Sequence, residues 1–596
     1  MAYRWRLNLK SGWDTLILTL AVSAVLLLLV VPMVLLILNS LRIGTPSFSL
    51  SNVTWTLDNY IRAFTHNFFF EALYNTAIIS TVATVGSLAT AGVFAWLVER
   101  TDMPFRRTAW LIMLLPMAMP GVVFALTWQL LLMPEAGLIN VAIRWFFRIF
   151  GISIEHGPLN IQSLWGMIFF GWLRGVSTNF LMIVGVFRMM DPRLEEAARQ
   201  SGASPLRTAQ RITLPLLGPA LFAAGIYTFV AQMESFEGPM VLGLAAKIFV
   251  MSTLIYFTSR YTAPFDYGIS AAWSVFFMAI MAILTVFYLR MIRHSERYAV
   301  VTGKGFRPVR YDVGGWRYVG LGLFGVYFSL TILAPIFILL WSSLLPYYMV
   351  PSSKAMSMIS LESYISVFKD PRFTRDLINT LVVSIATGTT TMLVAFLISW
   401  VTVRTKYRTR FLLDGVTFIS FAVPGIVIAL ALIFVYLQPP FRYLGIYGTV
   451  WIIVFGLITH YLAFATRTTN AGLLQIHKEL EEAALICGAG RIRTLWRITA
   501  RLLIVSLVAG WVWVVAHSAR AFAIPLILSS RKNELLSVWL WIDWGQGHLS
   551  HASAIGVILI IITMLMGFAA QRLLSKSQIS GGEYDKSKEP RKEIPN

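Results

Sequence analysis

Charge is scarce in this chain. Asp, Glu, Lys and Arg make up 13% of its 596 residues, about half the roughly 25% of an ordinary soluble domain. Cysteine is nearly absent: the single Cys487 excludes an internal disulfide. It fills the slot that Ser201 holds in a matching stretch, so it reads as a small helix residue rather than a nucleophile. The G-x-x-x-x-G-K-[ST] loop is also missing, because Gly303-Lys304-Gly305 lacks the preceding glycine and the hydroxyl residue. Without it the backbone has no P-loop cradle for nucleotide phosphates. H-E-x-x-H, C-x-x-C and G-x-S-x-G do not occur either. No catalytic residue can be named, the chain reads as no enzyme, and a metal set stays unassigned.

Apolar residues are abundant, at 57%, and several apolar runs exceed the ~18 residues needed to cross a bilayer. The formal charge of +21 would suit nucleic acid. The cations, however, cluster at the ends of apolar runs, which points to membrane lipid and away from nucleic acid. Hydropathy predicts an all-α membrane protein of about twelve transmembrane helices. They lie near 16–38, 76–97, 109–133, 163–187, 217–236 and 268–290, then 317–342, 380–401, 411–437, 449–468, 502–520 and 553–573. Arg4, Arg6 and Lys10 precede the first run, which is too long for a signal peptide and reads as an uncleaved helix. The excess of Lys and Arg on alternate loops places both termini in the cytoplasm.

The chain repeats itself. Residues 191–219 match 477–505 at an offset of 286: Glu195-Glu196-Ala197-Ala198 and Gly202 on Glu481-Glu482-Ala483-Ala484 and Gly488, then Arg211-Ile212-Thr213 on Arg497-Ile498-Thr499. Earlier pairs share an offset of 304: Tyr60 with Tyr364, Asn75-Thr76 with Asn379-Thr380, Arg100-Thr101 with Arg404-Thr405, Pro120-Gly121 with Pro424-Gly425. The 18-residue difference is an insertion within 134–160 of the first copy. There Leu138, Ala142, Trp145, Phe146, Ile149 and Phe150 fall at helical spacing, with Arg144 and Arg148 on another side. Such a helix would lie in the outer membrane interface or receive a delivering protein. These matches divide the chain into a six-helix half at 1–291, a Gly-containing linker at 292–316, a second half at 317–574 and a charged, disordered tail at 575–596. In the repeated loop, Asp191 and Pro192 suit the start of a short helix and Gly202 its left-handed end.

The loop resembles the EAA loop of ABC-transporter permeases: Glu-Ala-Ala, a glycine, then Ile-x-Leu-Pro. The first copy fits throughout. The second keeps Glu482-Ala483-Ala484, Gly488 and Ile498 but has Ala500-Arg501 where Leu-Pro is expected. The resemblance implies a type I importer permease whose coupling helices dock on two cytoplasmic ABC ATPase subunits. Those subunits would use ATP and Mg, while this chain binds no cofactor. An extracytoplasmic substrate-binding protein would deliver the cargo across a bacterial inner membrane. Glu196 and Glu482 are the expected ATPase contacts, although Glu195 and Glu481 match equally well. Glu234–Gly243 and Ser252–Tyr256 most resemble the ferric-iron branch, with thiamine, phosphonate and polyamine permeases as alternatives. A major-facilitator carrier is the remote alternative, faintly suggested by Val98–Arg107.

Ionisable residues in or beside spans are costly and are functional candidates by default. Arg174, Glu234, Glu237, His460, His517 and Arg520 qualify. His460, next to Tyr461, suits a packing role; Glu234, Glu237, His517 and Arg520 are candidates for the transport path or gate. At the 286 offset Glu234 falls on Arg520, a carboxylate on a guanidinium, which suggests a pair across the path.

Overall fold

The computed structural model describes residues 12–43, 54–190, 193–261, 266–295, 311–405 and 410–586. Asp191 and Pro192, linker residues 296–310 and the last ten residues of the tail lie outside these. Among the described residues the regular structure is helical, with two isolated bridge pairs, Arg42–Trp55 and Thr101–Tyr311. Among the described residues nine helices are long and apolar enough to cross a membrane unbroken, and three bent pairs raise the number to as many as twelve. Each hydropathy span corresponds to one of these.

Two spans that hydropathy reads as single runs are broken. In the third, Arg106–Ala118 meets Gly121–Leu132 at 98°, and in the ninth, Arg410–Ala422 meets Gly425–Tyr436 at 111°. The cause lies at the break. A residue before proline is pushed out of the helical region, and Met119 and Val423 have ψ of 126° and 111°. Pro120 and Pro424 are themselves extended, at ψ 137° and 144°. All twelve residues of each second segment are buried. A helix apolar on every side belongs inside protein. The eleventh span bends too, by 73°, between Arg491–Leu502 and Ile504–Ala519.

The expected disordered tail is helical over the part described, since the last helix runs from Leu549 to Lys586. Its polar end contains no proline before Pro590, so nothing forces the helix to stop at Ser575.

Packing gathers the chain into two compact units that cut across the repeats. Of the described residues, one comprises those up to Leu36, those within Asp376–Leu535 and those from Ile561; the other comprises those within Ile37–Arg375 and Leu536–Ile560. In the first unit, the opening span lies on helices of the second copy, where the Leu28 carbonyl accepts the Thr459 hydroxyl at 3.0 Å. In the second unit, the seventh span packs on the first copy. There Phe324 sits 4.3 Å from Phe94, and the Tyr327 hydroxyl bonds Ser177 at 2.9 Å and the Leu173 carbonyl at 3.2 Å.

The end of the linker sets this placement. Tyr311 N–H donates to the Arg100 carbonyl at 2.8 Å, Asp102 N–H to the Tyr311 carbonyl at 3.0 Å, and Arg317 Nη1 to Asp102 Oδ2 at 3.0 Å. The Val313 amide and Arg317 together hold the Asp102 carboxyl below its usual range. The chain therefore re-enters beside the second span.

The insertion forms a helix, Leu138–Ile149. Buried Asn140 ties it down, donating to the Leu132, Met133 and Leu159 carbonyls, while Trp145, Phe146, Ile149 and Phe150 stay exposed.

Candidate coupling site and transport path

Each coupling loop opens with a short helix, Arg193–Gln200 in the first copy and Glu479–Ile486 in the second. Gly202 and Gly488 end these helices at φ +82° and +80°. The next amides close the turn, Ala203 N–H on the Ala198 carbonyl and Ala489 N–H on the Ala484 carbonyl, both at 3.0 Å. A Cβ at either glycine would meet nothing within 4 Å. Glycine is favoured here by the dihedral alone, which costs an L residue roughly 1 kcal/mol or more.

The two carboxylates of each Glu-Glu pair part company. Glu195 turns inward, its side chain 1% exposed, with Oε2 lying 2.8 Å from Arg100 Nε. That ion pair is close but not aligned as a hydrogen bond. Oε1 accepts the Thr213 hydroxyl at 2.7 Å. Arg100, 2% exposed, also donates Nη2 to the Phe187 carbonyl at 3.0 Å. One carboxylate and one guanidinium thus join the ends of the second and fourth spans, the coupling helix and the start of the fifth span.

The second copy repeats the arrangement. Arg404 Nε donates to Glu481 Oε1 at 3.0 Å, which also accepts the Thr499 hydroxyl at 3.0 Å. Arg404 Nη2 reaches the Leu473 and Ile476 carbonyls at 3.1 and 2.8 Å. This clamp is less deeply buried, with Arg404 at 5% and Glu481 at 15% exposure. Glu196, half-buried, and Glu482, exposed, remain on the outer side of their helices, beside exposed Ala197 and Ala483 and half-buried Ala198 and Ala484.

A second charged group sits at the break of the third span. Arg174 Nη2 lies 3.7 Å from Glu237 Oε2, and the guanidinium stands 5.6 Å over the Phe170 ring. Glu237 lies against Gly121, the first residue of the buried segment: a Cβ there would come 1.3 Å from Glu237 Oε2 and 2.5 Å from Arg174 Nη1. The carboxylate is therefore at a helix N-terminus, where negative charge is stabilised.

Comparison with known proteins identifies the family. The profile of binding-protein-dependent transport system inner membrane components matches residues 391–579. The ferric transport system permease protein of Actinobacillus pleuropneumoniae is 26% identical over 65% of this chain, an alignment spanning 55% of that protein's length. An Fe(3+)-transport system permease protein of Haemophilus influenzae is 22% identical over 85% of this chain and 90% of its own. The sn-glycerol-3-phosphate transport system permease protein of Escherichia coli is 30% identical over 42% of this chain and 84% of its own. The chain belongs to this family of inner-membrane transport components.

In this permease the remaining path candidates fall in different settings. Glu234 follows the fifth-span helix, which ends at Met233, and Arg520 follows the helix ending at Ala519; they belong to different compact units. His517 lies 2.8 Å through Nδ1 from the Trp513 carbonyl and stacks on Trp513 at 3.7 Å, while Trp513 stacks on Phe464 at 3.7 Å. His460 stands edge-on to Tyr461 at 4.9 Å.

Sequence reasoning missed the residues that fasten the two short loop helices: Arg100, Arg404, Thr213 and Thr499. All four had been matched between the copies, but at two offsets, and nothing in linear order says that an arginine and a glutamate 95 positions on will meet.

Proposed function

We propose that this permease forms the membrane path of an ATP-driven, binding-protein-dependent importer. Its two coupling helices lie on the cytoplasmic side and seat on two ATPase subunits, which supply ATP and Mg chemistry. An extracytoplasmic binding protein hands over the cargo. The observation that carries this reading is the pair of equivalent clamps at Glu195 and Glu481. A short helix tied by one carboxylate and its arginine to three spans transmits a push at its outer face to all of them, as rigid-body coupling requires. Glu196 and Glu482, on that outer side, make the partner contact.

Replacing both with Ala in the assembled transporter is expected to reduce uptake and release ATPase subunits on purification, with membrane insertion unchanged. A double variant that keeps its ATPase and transports at the wild-type rate sinks the coupling assignment.

For the cargo we propose ferric iron, supported by the names of two relatives that align over most of this chain. The sn-glycerol-3-phosphate relative keeps an organic phosphate as the second reading. Cells without other iron routes should regain ferric uptake when supplied with this permease, its ATPase and its binding protein. A binding protein that holds an organic phosphate, thiamine or a polyamine and ignores ferric iron removes the iron reading.

A further inference from the structure

An open surface pocket of about 530 Å³ lies at the membrane edge of the first copy, on the side from which the coupling helix leaves. Glu99, Arg106, Arg107, Trp110, Leu111 and Arg188 line it. They come from the end of the second span, the start of the third and the end of the fourth. Three arginines and one carboxylate are among the lining residues, so the pocket carries net positive charge. Its charge is partly organised already: Arg188 donates Nε and Nη2 to Glu99 Oε1 at 3.0 and 2.8 Å, and its guanidinium lies 4.7 Å over the Trp110 ring. Arg106 is braced by the Met103 carbonyl, at 3.2 Å from its Nε. Arg107 and Leu111 are exposed, and Trp110 is half-buried.

We propose that this cavity binds the phosphate of an anionic phospholipid. The reasoning is one of shape and place. Apolar Leu111 and the Trp110 ring continue from the cationic group along a membrane-spanning helix, so the site is polar at one end and apolar at the other. A free phosphate would use only the polar end, whereas a lipid uses both. Basic pockets between membrane helices at the headgroup level take such lipids, and arginine offers a forked donor pair for phosphate oxygens.

The position also gives the lipid an effect. Glu99 and Arg188 are the chain neighbours of Arg100 and Phe187, which form the first clamp. A bound headgroup therefore steadies the clamp that holds the first coupling helix, and the second copy has no equivalent Trp110, because Asp414 stands at the matching position.

The experiment uses the purified transporter, with lipid retention measured by native mass spectrometry and thermal unfolding followed in parallel. Phosphatidylglycerol is expected to be retained and to raise the unfolding midpoint above that in phosphatidylcholine. Arg107→Gln, an exposed change, should weaken retention about fivefold, and adding Arg106→Gln should compound the loss to about 30-fold. Equal retention of phosphatidylglycerol by the double variant and wild type overturns the proposal. So does an equal midpoint shift from phosphatidylcholine. Stabilisation by inorganic phosphate at millimolar concentration, with no lipid preference, would identify a free-anion site and reject the lipid.

Discussion

Glu195→Gln and Arg100→Ala are each expected to cost about 3–5 kcal/mol in stability, because either leaves a charge buried without its counterpart. The pair is closed off from solvent on both sides, at 2% and 1% exposure, so water cannot take over the lost partner's role. The corresponding changes at Arg404 and Glu481, where the carboxylate is 15% exposed, should cost visibly less. Removing both members of the first pair with apolar residues of similar size should be milder than removing one, since no stranded charge remains. Unfolding midpoints of the four single variants and one double variant measure this directly. Uptake should fall together with stability, because the coupling helix loses its hold on three spans at once. Wild-type midpoints for Arg100→Ala and Glu195→Gln would show that the clamp does not bear on the fold.

The second large effect is at Gly121. Adding one methyl places it 1.3 Å from Glu237 Oε2, a distance no packing tolerates, so Glu237 must swing away from Arg174 or the buried helix must shift. Overpacking of this kind costs about 1–3 kcal/mol, and here it also separates the charged pair at the helix break. Gly121→Ala should therefore cut uptake by about two- to tenfold if half of that cost falls on the transporting state. Gly92→Ala is the control: a Cβ there meets nothing within 4 Å, and alanine in a helix gains up to about 1 kcal/mol over glycine. If the Gly121 effect acts through Glu237, then Gly121→Ala in a Glu237→Gln background should add little to the loss already present. Strictly additive losses would mean that the methyl harms the helix break by itself and that the ion pair is a bystander.

The two sites differ in how far the residues alone foretold them. The two short loop helices were readable because each step is local: Glu-Ala-Ala favours helix, and Gly202 and Gly488 supply the left-handed dihedral that ends it. The repetition at one offset then made the pair conspicuous. Which carboxylate faces inward was not readable. Adjacent residues on a helix project about 100° apart, and either could face the bundle until the position of Arg100 is known. Glu196 and Glu482 carry the same letters as their neighbours and differ only in what stands opposite.

By itself the sequence determined the membrane-spanning class, the number and approximate position of the spans, and the duplication. These follow from apolar run length and from motif spacing, both properties of neighbouring residues. Pro120-Gly121 and Pro424-Gly425 were visible as a matched pair, yet hydropathy sums over a break without detecting it. Only the tertiary structure decided that the chain turns by about a right angle there and buries the segment beyond. Tertiary packing alone also placed the opening span against the second copy and the seventh against the first. An apolar helix has no local preference between two similar apolar surfaces. Its place is set by distant contacts such as Thr459 on Leu28 and Tyr327 on Ser177. Burial of Arg100 with Glu195 was decided at the same level, because a charge is tolerated inside only where its counterpart and the remaining hydrogen-bond partners arrive together.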